Sequence, residues 1–122
     1  MHLAADEVAR LEAAVEIEIE TEADPSSPTH RTIVWVVTDG PDVFLRSVRG
    51  ATGRWYREAT ANPQVGVIVD GHRIPARVVP ANDADSIART TAALQRKYAG
   101  DPDLYTMLVP GVLDTTLRLE PA

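Results

Sequence analysis

The chain has 122 residues, of which 44% are apolar and 25% charged, and this composition is typical of one globular domain, spanning residues 1–122. No cysteine is present, which excludes disulfides and thiolate metal sites, and the net charge of −6 disfavours a general role in binding nucleic acid. No apolar run reaches the roughly 18 residues that a membrane-spanning helix needs, so we expect a cytoplasmic protein.

The first half of the chain predicts one helix and three strands. Residues 4–13 have helical spacing of apolar side chains, and residues 15–22 alternate between apolar or threonine residues and glutamate, as a half-exposed strand does. The run Thr32–Thr38 is apolar on both faces and predicts a central strand that is buried on both sides. Asp39–Asp42 is typical of a tight turn, and Val43–Val48 of its hairpin partner.

The second half predicts two hairpin strands, two helices and a last strand. A short helix is expected over Arg54–Ala61, and strands over residues 65–69 and 74–79 flank the turn Asp70-Gly71. A longer helix over 84–99 has Asn82 or Asp83 as its cap, and residues 112–119 favour a final strand. About six short strands with a few flanking helices indicate an α+β fold built on a small antiparallel β-barrel.

One segment stands out chemically, because it is basic in an acidic chain. The segment Val43–Arg57 contains four arginines and no carboxylate, whereas eight acidic residues fall between Asp6 and Asp24. Arginine forks, hydroxyls and free amides at a helix start are the groups that hold phosphate. The predicted anion site comprises Arg46, Ser47, Arg49, Gly50, Thr52, Gly53, Arg54 and Arg57, with Thr52 expected to cap the helix. The alternative is a solvated basic strip that pairs with the N-terminal glutamates.

The other polar residues do not suggest catalysis by side chains. The three histidines show no metal-binding spacing, and Ser47 has no evident base partner, so no catalytic residue and no metal site are predicted. Trp35 is expected in the core. Trp55 and Tyr56 are expected either to pack in the core or to flank a planar ring.

The order of these motifs resembles the split β-barrel flavin- and deazaflavin-binding superfamily. The similarity rests on a buried strand at Val34–Val37, an Asp-Gly turn, the strand end Leu45–Val48, the run Gly50-x-x-Gly-Arg-Trp-Tyr56, and Ala59-x-x-Asn-Pro-x-Val65 followed by a hairpin. It covers roughly residues 13–121. Within the superfamily the chain looks most like a bacterial family of unknown function that sits beside deazaflavin-dependent nitroreductases and pyridoxamine-phosphate-oxidase-like proteins.

This resemblance implies a cofactor and a partner. It implies FMN or a deazaflavin coenzyme, with Arg46 and Ser47 at the strand end and Gly50–Arg54 as the phosphate turn. Trp55 and Tyr56 match the aromatic pair of the helix, and Arg49 and Arg57 are secondary. The nitroreductase-like proteins usually carry lysine and proline before Trp-Tyr, where this chain has Gly53-Arg54. The resemblance further implies a homodimer with the cofactor at the subunit interface.

Two functions remain open on the sequence. The first is an oxidoreductase that transfers hydride to a small organic acceptor, since in such proteins the cofactor performs the chemistry. The second is a non-enzymatic dimeric cofactor carrier or interaction domain with an empty groove.

Overall fold

The computed structural model describes all residues from Met1 to Ala122. Seven strands form one antiparallel sheet in the order β2-β1-β5-β6-β7-β4-β3. They are β1 Ile17–Thr21, β2 His30–Val34, β3 Val37–Asp39, β4 Asp42–Leu45, β5 Gln64–Val69, β6 His72–Pro80 and β7 Leu117–Pro121. The helices are α1 Ala5–Ala13, α2 Arg54–Ala61, α3 Ala84–Lys97 and α4 Pro110–Leu113. Two 3-10 turns span Gly50–Thr52 and Leu104–Met107.

The two edge strands of the sheet are neighbours in the chain, and this forces the sheet to curl. In a flat sheet, β2 and β3 would lie about 29 Å apart, since neighbouring strands are about 4.8 Å apart. Only Trp35 and Val36 connect them, and that link spans at most about 11 Å. The sheet therefore wraps round until its edges approach each other.

The predicted central strand Thr32–Thr38 is wrong, because this run forms two strands at opposite edges of the sheet. The apolar link residues mask the alternation of buried and exposed side chains along this run. Ile33, for example, is 63% exposed rather than buried. Trp35, expected in the core, is only partly buried and lies in the link. The split of this run also accounts for seven strands where about six were predicted.

The other predicted elements form, but two strands have different bounds: the strand predicted over Val43–Val48 ends at Leu45, and the last strand also differs. The hairpins at Asp39–Asp42 and Asp70-Gly71 form as expected, and Asp83 caps α3 by accepting a hydrogen bond from the Ser86 amide at 3.0 Å. The last strand begins at Leu117 and not at Val112, because residues 110–113 form α4 after Pro110 opens the helix.

Two apolar clusters stabilise the fold. The larger fills the inside of the curled sheet, with Ile19, Leu45, Val67 and Leu119 among its buried members. The smaller lies where α3 packs on the far edge, around Phe44 and Leu94. No helix combines the length and apolarity required to traverse a lipid bilayer.

Candidate functional site

The segment between β4 and α2 forms a tight, internally bonded turn. Gly50 has φ +67°, a conformation that favours glycine, and opens the 3-10 turn. The Ser47 hydroxyl donates to the Gly50 carbonyl at 2.8 Å, while the Ser47 amide donates to the Thr115 hydroxyl at 3.0 Å. These bonds fix the turn before α2 begins at Arg54.

The predicted capping role of Thr52 is wrong. The residue at the helix cap is Gly53, and no side chain accepts a hydrogen bond from the first turn of α2. The Thr52 hydroxyl instead donates to the Arg49 carbonyl at 3.0 Å, because the 3-10 turn brings that carbonyl beneath it. The first amides of α2 are thus left without a side-chain cap.

A cavity of about 680 Å³ opens beside this turn. It brings together six of the predicted site residues: Arg46, Ser47, Arg49, Gly53, Arg54 and Trp55. Gly50, Thr52, Tyr56 and Arg57 do not line it. Tyr56 packs edge-to-face on Trp55, and the Arg57 Nε donates to the Thr52 carbonyl at 3.2 Å.

Arg46 is buried and serves as an internal cross-link. Only 2% of the residue is exposed, and its guanidinium donates to the Thr116 hydroxyl at 2.9 Å, the Met107 carbonyl at 3.0 Å and the Ile87 carbonyl at 2.9 Å. Burial lowers the pKa of Arg46 to about 10, since no carboxylate bonds to it. Arg46 therefore ties the end of β4 to α3, to the second 3-10 turn and to the residue before β7, while keeping a positive charge at the cavity wall.

Arg49 and Arg54 are exposed at the cavity, and neither pairs with a carboxylate. All the ion pairs of the chain involve other basic residues, namely His2, His30, Arg31, Arg73, Arg77, Arg89 and Arg118. Within the chain, the arginine segment therefore does not form the alternative arrangement, a basic strip that pairs with the N-terminal glutamates. These guanidinium groups remain available to a ligand.

The other residues that line the cavity were not predicted as a site. They are Glu16, Thr32, Ile33, Val34, Trp35, Val48, Asp103, Thr106 and Met107. The sequence offered no local signal, because all of them except Val48 lie outside the arginine segment. The Thr32 Oγ1 atom is buried and has no hydrogen-bond partner.

A polar cluster holds α2 against the β1–β2 hairpin. Glu58 on α2 accepts hydrogen bonds from the Thr21 hydroxyl at 2.9 Å and from the His30 Nδ1 at 3.0 Å. Burial raises the pKa of Glu58, but these hydrogen bonds and the nearby charges of His30 and Arg54 outweigh it and leave the pKa lowered. The cluster thus fixes the helix that carries Arg54 and Trp55.

The curled antiparallel sheet and its lateral cavity define a split β-barrel, as the sequence predicted. The profile of the family described as "Uncharacterized protein conserved in bacteria (DUF2255)" matches residues 7–119. The chain belongs to this family. No curated protein matches it in sequence.

Solved structures of proteins with the same fold carry names that state different functions. A putative pyridoxamine 5'-phosphate oxidase from Listeria innocua has a TM-score of 0.66 and 17% identity, over 95% of this chain and 90% of that one. The heme storage protein HutZ from Vibrio cholerae has a TM-score of 0.66 and 13% identity, over 100% and 92%. An F420-H2 dependent reductase has a TM-score of 0.64 and 13% identity, over 87% and 94%. At such identities the likeness establishes the fold.

Proposed function

We propose that this split barrel binds FMN or a deazaflavin coenzyme in its cavity, with the phosphate at the Ser47–Arg54 turn. The observation that carries the proposal is a set of exposed arginines, Arg49 and Arg54, that line the cavity without any carboxylate partner. The buried charge of Arg46 adds to the positive potential there. The names of two structural neighbours, an F420-H2 dependent reductase and a putative pyridoxamine 5'-phosphate oxidase, agree with this chemistry.

The residues present fit such a ligand in shape as well as in charge. A Cβ added to Gly53 would lie 2.7 Å from the Ser47 Oγ, so the turn packs tightly at this point of the cavity lining and accepts only glycine without a shift. Thr32, which also lines the cavity, offers a buried hydroxyl without a partner. A cavity of about 680 Å³ is within the size range of small-molecule sites.

The role of the chain would be to bind and orient the cofactor. Arg49, Arg54 and the first amides of α2 would hold the phosphate, and Trp55 would border the ring. When bound, a flavin or deazaflavin ring supplies hydride chemistry, and a small organic acceptor would receive the hydride. A cytoplasmic homodimer would complete the site, since Ile33 and Val48, 63% and 55% exposed, leave apolar surface at the cavity edge.

Titration of the purified protein with FMN and with coenzyme F420, followed by ring fluorescence, tests this proposal. We expect saturable micromolar binding of one of them and about tenfold weaker binding for Arg54→Gln, because a charge-assisted hydrogen bond contributes about 1.5–3 kcal/mol. Arg73→Gln is the matched control, since Arg73 pairs with Glu20 and lies outside this cavity.

Failure of both cofactors to bind, or equal weakening by the two variants, contradicts the proposal. Hemin is titrated in parallel because one neighbour is a heme storage protein. Tighter binding of hemin than of either ring cofactor would overturn the assignment. Oxidation of the reduced cofactor by menadione that is faster with the protein than without it would indicate an oxidoreductase, and an equal or slower rate would indicate a carrier.

A further inference from the structure

The polar cluster that holds α2 against the β1–β2 hairpin is one helical turn away from a residue of the cavity. At its centre is the Glu58 carboxylate, which accepts hydrogen bonds from the Thr21 hydroxyl at 2.9 Å and from the His30 Nδ1 at 3.0 Å. Arg54 lies four residues before Glu58 on the same helix and lines the cavity. Because residues at this spacing are neighbours on a helix surface, the cluster lies beside the proposed phosphate seat.

Arg54 and Glu58 interact through their charges without forming an ion pair. Burial acts to raise the pKa of Glu58, but the hydrogen bonds from Thr21 and His30, and then the positive charges of His30 and Arg54, lower it. A charge interaction is mutual. The negative charge of Glu58 therefore offsets part of the positive potential that Arg54 presents to an anion in the cavity.

His30 is the group that can change this balance. Only its Nδ1 is hydrogen-bonded within the chain, and because the carboxylate of Glu58 is an acceptor, this nitrogen carries a hydrogen. Nε2 is then the atom that takes up a proton, and the side chain is 33% exposed to solvent. Histidine ordinarily changes its charge between pH 5 and 8. Protonation neutralises the His30–Glu58 pair, which otherwise carries one negative charge.

The charged residues on the neighbouring strands do not contact His30. On β1, Thr21 pairs with His30 and Glu20 pairs with Arg31. Because side chains alternate along a strand, Glu20 and Arg31 lie on the opposite face of the sheet, where they contact each other at 3.0 Å. Glu22, which follows Thr21, takes part in no ion pair. The carboxylate on α2 is thus the one charged group to which His30 bonds.

We infer that His30 is a proton switch for the anion site, and that its protonation tightens the binding of a doubly charged oxyanion of the phosphate monoester class beside Arg54. With His30 neutral, Glu58 offsets part of the charge of Arg54. With His30 protonated, the pair is neutral and Arg54 acts on the anion with its full charge. The inference deepens the proposed function by naming how the phosphate seat is regulated, and it rests on that function for the position of the phosphate.

Sulfate binding at pH 5.5 and at pH 8, without cofactor and at constant ionic strength, tests this inference. Sulfate keeps two negative charges over this range, and carboxyl groups ordinarily titrate below it. Tryptophan fluorescence reports the binding, since both tryptophans, Trp35 and Trp55, line the cavity. We expect sulfate to bind about threefold more tightly at pH 5.5, the modest effect of one charge at a partly exposed site.

His30→Gln keeps a hydrogen-bond donor for Glu58 but cannot be protonated. It should bind sulfate as the parent protein does at pH 8 and gain less than about 1.5-fold at pH 5.5. His2→Gln is the matched control, because His2 also contacts a carboxylate, that of Asp42 at 3.2 Å, and lies outside the cavity lining. This variant should keep the full pH dependence. Urea unfolding at both pH values verifies that each variant is folded.

Three results would overturn the inference: no sulfate binding, equal affinity of the parent protein at the two pH values, or a pH dependence that His30→Gln retains. Equal loss of the dependence in His2→Gln would do the same. If His30 controls sulfate binding and neither ring cofactor binds, the proposed function fails and the switch stands. If a ring cofactor binds and sulfate affinity does not depend on His30, only the switch is removed.

Discussion

Two groups of arginines in this protein differ in what they contact. On the sheet surface and at the β3–β4 turn, each arginine meets a carboxylate: Arg31 and Arg73 contact Glu20 at 3.0 and 3.1 Å, and Arg89 contacts Asp39 and Asp42 at 2.6 and 2.7 Å. Around the cavity, none does. The arginines of the paired group contact carboxylates of the chain itself, whereas the positive charges around the cavity have no carboxylate partner in the chain.

Within the unpaired group, depth separates two roles. Arg46 is buried and donates to three acceptors of the chain, while Arg49 and Arg54 are exposed. A buried arginine with this many internal bonds contributes to stability, and an exposed one at the cavity contributes to binding. The predictions below either sharpen this division or break it.

The largest expected effect is on Arg46. We predict that Arg46→Met lowers the free energy of unfolding by about 3 kcal/mol, because three acceptors lose their donor at about 1 kcal/mol each. Urea unfolding measures this change. Arg49→Met is the control and should stay within about 0.5 kcal/mol of the parent protein. A loss below about 1 kcal/mol for Arg46→Met would mean that its charge is held for the ligand and not for the fold.

The sequence could predict the local elements but not this division. Turn residues and the alternation of apolar and polar side chains located the hairpins. The four arginines were found because they lie within one short segment of the chain. The burial of Arg46 was hidden, since its acceptors on Ile87, Met107 and Thr116 are brought to it only by tertiary packing. Likewise, the apolar run Thr32–Thr38 carries no local signal that the chain leaves one edge strand of the sheet at Trp35 and enters the other edge strand.

The second prediction concerns the shape of the turn between the exposed arginines. Gly53→Ala should lower the free energy of unfolding by about 1–2 kcal/mol, because the new methyl group lies 2.7 Å from the Ser47 Oγ and displaces it from the Gly50 carbonyl. FMN affinity should fall as well, since Gly53 lines the cavity.

Gly111→Ala serves as the matched control for this change. No atom lies within 4 Å of a Cβ at Gly111, so the variant should be neutral or slightly stabilising. If Gly53→Ala behaves like Gly111→Ala in both unfolding and FMN titration, the shape of the turn does not contribute to stability or to FMN binding. The comparison of the two groups of arginines would then lack this structural support.

The smallest expected effect lies where the two regions meet, at Glu58. This carboxylate belongs to a paired cluster with His30 and Thr21, yet its helix carries the unpaired Arg54. Since folding lowers the pKa of Glu58, its contribution is fully present above the unfolded value of about 4.3 and is lost as pH falls through the folded value. Glu58→Gln should therefore cost about 1 kcal/mol at pH 7 and nothing near pH 2.

Urea unfolding as a function of pH follows this difference, with Glu18→Gln as the control, because Glu18 makes no side-chain hydrogen bond or ion pair within the chain. A Glu58→Gln deficit that persists undiminished at pH 2 would indicate lost packing rather than lost charge. If the variant also weakens FMN binding at pH 7, the paired cluster positions the unpaired arginine. The Glu58 cluster and Arg54 are then coupled through one turn of α2, and the division between stability and binding is one of degree.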